Sequence, residues 1–267
     1  MFGHFWAQPL PTFDSCPDTV PMPPRLRLDL ALVERGLVES RAKAQALIMA
    51  GRITVNRSIA TKSGASVSPE DELAVTALEH PWVGRGGIKL AHAIDQFQID
   101  VRDLVCADLG ASTGGFTDVL LSKGAAKVYA VDVGYGQLDA SLRNDSRVVL
   151  KERINARYLT SADFEEAIEF VTVDVSFIPL RLILPAVAEI LTPGGSLVAL
   201  IKPQFEVGRE GVGKGGIVRD KAQRERAVAD VRLIAEGLGF EVFGVIESPI
   251  HGAEGNVEFL MYAKKLR

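Results

Sequence analysis

Two cysteines among 267 residues leave no basis for a disulfide framework. Cys16 and Cys106 lie far apart, and neither has partners at metal-ligand spacing. Neither a disulfide nor a zinc scaffold is therefore expected, nor any other metal. Cys106 falls in the apolar run Leu104-Val-Cys-Ala107 and reads as a buried strand residue. No uncharged stretch approaches the ~20 residues that a membrane helix needs. No basic segment precedes an apolar run at the amino terminus, so no secretory signal is expected. Strong net charge is missing too: the balance is −4, which argues against indiscriminate coating of a polyanion. The expectation is a monomer of the reducing cytoplasm. With 47% apolar and 24% charged residues, the chain has the means to bury a real core.

What charge there is, is segregated. Residues 25–64 hold eight basic side chains (Arg25, Arg27, Arg35, Arg41, Lys43, Arg52, Arg57, Lys62) against Asp29, Glu34 and Glu39. That segment carries +5 and the remainder −9. The boundaries follow composition. Residues 1–24 contain six prolines and no periodicity, and read as a disordered tail. Residues 25–79 read as a small α+β unit: a helix from Asp29 to Gly36, and a second capped by Ser40 and stopped by Gly51. Strands at Ile53–Val55 and Asp71–Val75 follow. Residues 80–85 read as a linker.

From residue 86 to 267 strands and helices alternate, without an internal repeat. Strands are expected at Val105–Leu109, Lys127–Val133, Val148–Leu150, Phe170–Val175 and Ser196–Ile201. Helices fall at Phe116–Lys123 and Asp220–Leu238, the latter with Val228, Val231, Ile234 and Leu238 on one stripe. This pattern predicts a doubly wound, Rossmann-like α/β sheet. The last two strands, Phe240–Glu247 and Val257–Ala263, are joined by a loop too short for a helical crossover and should run antiparallel.

In the small unit, Arg27, Arg41, Lys43 and Lys62 could face phosphates on one surface. On charge alone a solvated helix face is the alternative. The run from Arg27 to Arg41, followed by Ala42 to Asn56 with Gly51 at its turn, resembles the αL-type RNA-binding domain first known from a ribosomal protein. That resemblance implies docking on structured RNA.

The turn Asp108-Leu-Gly-Ala-Ser-Thr-Gly-Gly-Phe116 follows a strand and opens a helix. Its glycines permit a tight turn and close approach to a ligand. Asp132 ends the next strand, 22 residues after Gly110, where a carboxylate can accept ribose hydroxyls. Asp108, Gly110, Ser112, Thr113, Gly114, Gly115, Phe116 and Asp132 are the candidate cofactor-binding residues. A nicotinamide dinucleotide also uses a glycine turn and a downstream acid. However, the spacing is G-x-x-x-G-G, not G-x-G-x-x-G, and S-adenosylmethionine has no pyrophosphate to cradle. Glu152 and Asn155 are positional candidates for the adenine.

Four more residues stand out. Asp174 and Lys202 each end an apolar strand, at the rim where open α/β sheets bind ligands. A lysine there is costly unless paired or functional, its alternative being to snorkel to solvent. Glu258 is the one charge near the start of the last strand, and Lys89 heads the first helix. Two lysines and two acids at one rim suit methyl transfer to a ribose hydroxyl. In that reading Lys202 is central, Asp174 and Glu258 orient it, and Lys89 stabilises charge on the ribose oxygen.

The order Lys89, Asp174, Lys202, Glu258 is similar to the Lys-Asp-Lys-Glu tetrad of FtsJ-like ribose 2′-O-methyltransferases. The segments Arg85–Leu90, Asp108–Phe116, Val131–Gly136, Asp174–Phe177 and Ile201–Glu206 resemble the TlyA family within them. The resemblance covers residues 25–267. It implies cytidine 2′-O-methylation of rRNA in bacterial ribosomal subunits, with S-adenosylmethionine as cofactor. Members have also been called haemolysins, but no spanning or strongly amphipathic segment supports a cytolysin. A non-catalytic ribosome-assembly factor is a further alternative, against which the intact tetrad stands. The loop 208–216, glycine-rich with Arg209 and Lys214, reads either as a cover for RNA or as a connector.

Overall fold

The computed structural model describes residues 25–76, 80–213, 215–252 and 255–266, with only the backbone of Arg209. The tail assigned to residues 1–24 lies outside them, as does Lys214. The amino-terminal unit opens with β1 (Leu26–Arg27), α1 (Leu28–Glu34) and α2 (Arg41–Met49). Four short strands follow: β2 (Ile53–Val55), β3 (Ser58–Ile59), β4 (Ser66–Val67) and β5 (Leu73–Val75). Ser40 accepts the Lys43 N–H at the start of α2, satisfying one orphan donor of the first turn. Gly51, at φ +72°, ends it. Strands β3, β2 and β5 form an antiparallel sheet, and β1 pairs with β4. Leu28, Leu32, Ala44, Ile48, Ile53 and Val67 close a core of the unit's own.

The large unit runs α3 (Gly86–Phe97), β6 (Val105–Leu109), α4 (Gly115–Ser122), β7 (Lys127–Asp132), α5 (Ala140–Arg143) and β8 (Val148–Glu152). It continues with β9 (Ile168–Val173), α6 (Leu184–Ile190), β10 (Leu191–Ile201), α7 (Pro203–Glu206), α8 (Lys221–Gly237), β11 (Phe240–Glu247) and β12 (Phe259–Lys265). The seven strands lie in the order β11-β12-β10-β9-β6-β7-β8. The five from β6 to β10 are mutually parallel, and β12 runs antiparallel to both β10 and β11. The expected doubly wound sheet with its antiparallel end is what forms.

Some expected boundaries move. β9 stops at Val173, so Asp174 is the first residue beyond it, and Glu258 is the residue before β12. β10 begins at Leu191, five residues earlier than the apolar run suggested. Pro203 starts a short helix, α7, where its missing N–H costs nothing. On α8 the fully buried residues are Ala227, Val231 and Ala235, with Val228 and Ile234 flanking. The small alanines let that helix lie close on the sheet. Cys106 is fully buried, and burial pushes its thiol up to about 12.

Candidate active site

Strand parity brings three of the four residues together, and a helix adds the fourth. Successive side chains of a strand point to opposite faces, so every second residue shares one. Phe170, Val198, Leu200, Leu260 and Tyr262 all belong to the core layer on the α3–α4 face of the sheet. Asp174, Lys202 and Glu258 continue those same rows at the strand ends. Strand β10 lies between β9 and β12, with Ile201 opposite Phe259, so the three meet at one rim. Helix α3 packs Leu90, Ala93 and Ile94 on the same layer and delivers Lys89 from its first turn.

The result is two ion pairs side by side. Lys89 Nζ donates to Glu258 Oε2 at 2.5 Å, and Lys202 Nζ lies 2.6 Å from Asp174 Oδ1. Both lysines are 8% exposed and Glu258 2%. Glu258 therefore serves Lys89 and not Lys202, which corrects the expectation that both acids orient one lysine. The second partner of Lys202 is Ser176, whose Oγ accepts from Nζ at 2.8 Å. Burial pushes the Asp174 carboxyl up, but the ammonium groups of Lys202 and Lys89 outweigh it and leave it below its ordinary value. Gly252 makes room for Glu258: a Cβ there would stand 2.0 Å from Oε1.

Beside these pairs the glycine turn folds over the end of β6. Gly110 and Ala111 donate to Val131 O at 2.8 and 3.1 Å, which ties the turn to β7. A Cβ on Gly110, at φ +90°, would meet Asp174 O at 2.5 Å, so only glycine lets turn and β9 rim approach this closely. Gly114 and Gly115 open α4, and Phe116 is buried behind them. Asp132 accepts from Ser112 N at 2.8 Å and Gly134 N at 2.6 Å, one bond on each oxygen. Each oxygen keeps a second lone pair for a ligand.

Two adjoining cavities lie here. One, of about 220 Å³, is bounded by Lys89, Gly110, Thr113, Asp174, Ser176 and Lys202. The other, of about 410 Å³, is bounded by Asp132, Val133, Ile154, Asn155, Val175 and Ile178. The second has an apolar wall and a carboxylate and suits a nucleoside, and the first suits the reacting groups. Met49, from α2 of the other unit, borders both.

Two candidates are placed otherwise than expected. Asp108 is fully buried under the turn, with Thr117 Oγ1 donating at 2.7 Å and Thr172 Oγ1 at 2.9 Å. It braces β6, α4 and β9 and cannot reach a ligand in the cleft. Burial pushes its carboxyl up to about 7 despite those hydroxyls. Glu152 is taken by Arg143 and by the Gly136 N–H, whereas Asn155 does face the nucleoside-sized cavity. Ile154 and Ile178 escaped the sequence reading because lone aliphatics in loops carry no periodic signal, and Val133, expected as the end of a strand, lies one residue past it. Ser176 had a signal: two residues beyond Asp174, it could share that side chain's side of the rim.

The basic residues are spread over the small unit. Arg27 and Arg41 both bind Asp29, while Lys43 and Lys62 are exposed. The loop from 208 is tethered near Glu258, because Asn256 donates to Gly216 O at 2.9 Å and accepts from Val218 N at 3.0 Å.

Residues 82–265 match the FtsJ-like methyltransferase family model, and residues 26–73 match the S4 domain. Among curated relatives, the 16S/23S rRNA (cytidine-2'-O)-methyltransferase TlyA of Mycobacterium tuberculosis is 47% identical over 90% of each chain. Hemolysin A of Brachyspira hyodysenteriae is 43% identical, over 89% of this chain and 99% of its own. Among solved structures, a protein described as a hemolysin from Streptococcus thermophilus superposes with a TM-score of 0.72 at 45% identity. The match covers 91% of this chain and 89% of that one.

Proposed function

The chain belongs to the FtsJ-like methyltransferase family, with an S4 domain in front, and on that footing we propose that it methylates the ribose 2′-hydroxyl of cytidine in bacterial ribosomal RNA, with S-adenosylmethionine as donor. The observation that carries this reading is the pair of buried lysine–carboxylate contacts at the mouth of a nucleoside-sized cleft. Buried ion pairs contribute little net stability to a fold, so two of them side by side at a cleft mouth favour a role in chemistry.

The cleft fits the donor. Asp132 would accept its ribose hydroxyls, and Ile154, Val133 and Ile178 would cover the adenine beside Asn155. The glycine turn would lie along the amino-acid moiety, with Met49 completing the wall. Bound there, the cofactor supplies an electrophilic methyl carbon on a positively charged sulfur.

The chain's own residues handle the nucleophile. Of the three N–H bonds of the Lys202 ammonium Ser176 takes one, and with the Asp174 carboxylate in ion-pair contact the ammonium still has an N–H to offer the ribose O2′. Held so, the hydroxyl is aimed at the methyl carbon, and the alkoxide character it gains is stabilised where it develops. Lys89, fixed by Glu258, adds positive potential on the same side. The donor would supply the methyl carbon and its sulfur would keep the electron pair of the bond to it, while the 2′-hydroxyl proton would go to solvent. The S4 domain supplies the affinity for RNA through Arg27, Arg41, Lys43 and Lys62. Among the described residues no helix is long and apolar enough to cross a membrane.

Mapping 2′-O-methyl groups along rRNA from cells with and without the gene tests the proposal. At least one cytidine should lose its 2′-O-methyl group when the gene is removed and regain it on complementation. Identical maps would overturn the reading.

A further inference from the structure

Asp29 is a carboxylate in the middle of the most basic part of the chain, and it is 0% exposed. Four hydrogen bonds converge on it. Arg27 donates through Nε to Oδ1 at 3.0 Å and through Nη2 to Oδ2 at 3.1 Å. Arg41 donates through Nε at 2.9 Å and Gln45 through Nε2 at 2.8 Å, both to Oδ2. The Arg27 hydrogen bonds, the largest influence, hold the Asp29 carboxyl well below the usual range in spite of burial. Its backbone is fixed as well, since Asp29 N donates to Ser63 O at 3.1 Å.

The two guanidinium groups come from different elements. Arg27 precedes α1 and Arg41 opens α2, and both remain about half exposed. Without an anion between them they would repel each other. The bonds to Asp29 leave Nη1 of Arg27 and both Nη groups of Arg41 for an outside ligand. A Cβ at Gly64 would lie 3.5–3.6 Å from Nη1, Cζ and Nη2 of Arg27, so position 64 looks onto the face of that guanidinium. A Cβ there would make ordinary van der Waals contact with it.

We propose that Asp29 is a positioning residue for RNA: it locks Arg27 and Arg41 into one rigid, two-pronged phosphate clamp across the α1–α2 junction. This rests on reading the S4 domain as the RNA-binding part. Arginine side chains left free would each lose rotamer freedom on binding. Asp29 meets that cost during folding. It is an acid whose presence strengthens binding to a polyanion.

That consequence separates geometry from bare charge. Asp29→Asn removes a negative charge beneath the RNA-facing surface and raises its net charge by one, so charge alone predicts tighter binding and a steeper salt dependence. The clamp predicts weaker binding, about three- to tenfold. Arg27→Lys and Arg41→Lys keep the charge but lose the fork that Asp29 holds. Each should weaken binding by a similar factor with an unchanged salt slope.

The experiment measures binding of the full chain to purified bacterial ribosomal subunits, small and large separately, at several salt concentrations. Donor affinity and circular dichroism are followed in parallel. In the Arg27→Lys/Arg41→Lys background, Asp29→Asn should cost no further affinity, because Asp29 acts only through the two arginines. A loss that persists undiminished there would make Asp29 merely a structural residue. Equal or tighter binding by Asp29→Asn, or unchanged binding by both lysine variants, would also overturn the clamp. If Asp29→Asn does not fold, the lysine variants decide alone. Failure of the parent chain to bind either subunit would remove the RNA reading itself.

Discussion

Asp108 and Asp174 are both acids at the rim of one sheet, and their surroundings drive them in opposite directions. Asp174 has two ammonium neighbours and is held ionised, whereas Asp108 has only hydroxyl partners and is pushed up to about 7. The second case links to stability. An unfolded Asp108 titrates near its ordinary value of 3.8, so between about pH 4 and 7 the folded chain binds one proton more than the unfolded chain. Stability from this group is therefore lost as pH rises through that window and stays at its lower level above it. At about 1.4 kcal/mol per pKa unit, the full penalty is a few kcal/mol. Asp108→Asn removes the penalty, and an amide can still accept from one threonine and donate to the other. Urea unfolding of parent and variant should show an advantage for Asp108→Asn that grows from pH 4.5 to 7 and is level beyond. A difference independent of pH would mean that Asp108 is ionised in the fold.

Elements place these residues, and here the sequence was most readable. Alternation along β9, β10 and β12 puts Asp174, Lys202 and Glu258 on the same face, and parity alone could have grouped them. The short connection between β11 and β12 required an antiparallel pair, as found. What sequence did not reveal was the partnership within the group. Whether Glu258 meets Lys89 or Lys202 depends on how far α3 reaches over the rim, a tertiary distance without a local signal. The same holds for Met49, which reaches the cleft from another unit. Gly252 belongs to this class: in the chain it is one more loop glycine, yet it leaves the space that Glu258 fills. Gly252→Ala should push Glu258 off Lys89 and lower the rate of methyl transfer about tenfold or more, consistent with a displaced catalytic group. Donor affinity should hardly change. Stopped-flow binding of the donor and rapid-quench methyl transfer separate the two effects. An unaffected rate would show that the Glu258–Lys89 contact is dispensable.

At the scale of the molecule, the proposed function divides recognition and chemistry between two units. The positive charge of residues 25–64 stands against an acidic remainder, and the two units have separate cores. They meet at the cleft beside the glycine turn, where Met49 Sδ stands 3.8 Å from Ser112 Oγ. The central claim is that Lys202, buried and held by Asp174 and Ser176, acts on the ribose oxygen in the transition state more than in the ground state. Single-turnover methyl transfer from labelled donor to isolated ribosomal subunits tests it most directly, with donor and subunit binding measured alongside. Lys202→Ala should abolish transfer and leave both affinities nearly intact. Lys202→Arg should not restore it, since a planar guanidinium does not reproduce the ammonium's geometry between Asp174 and Ser176. Transfer at close to the parent rate in Lys202→Ala would contradict the account.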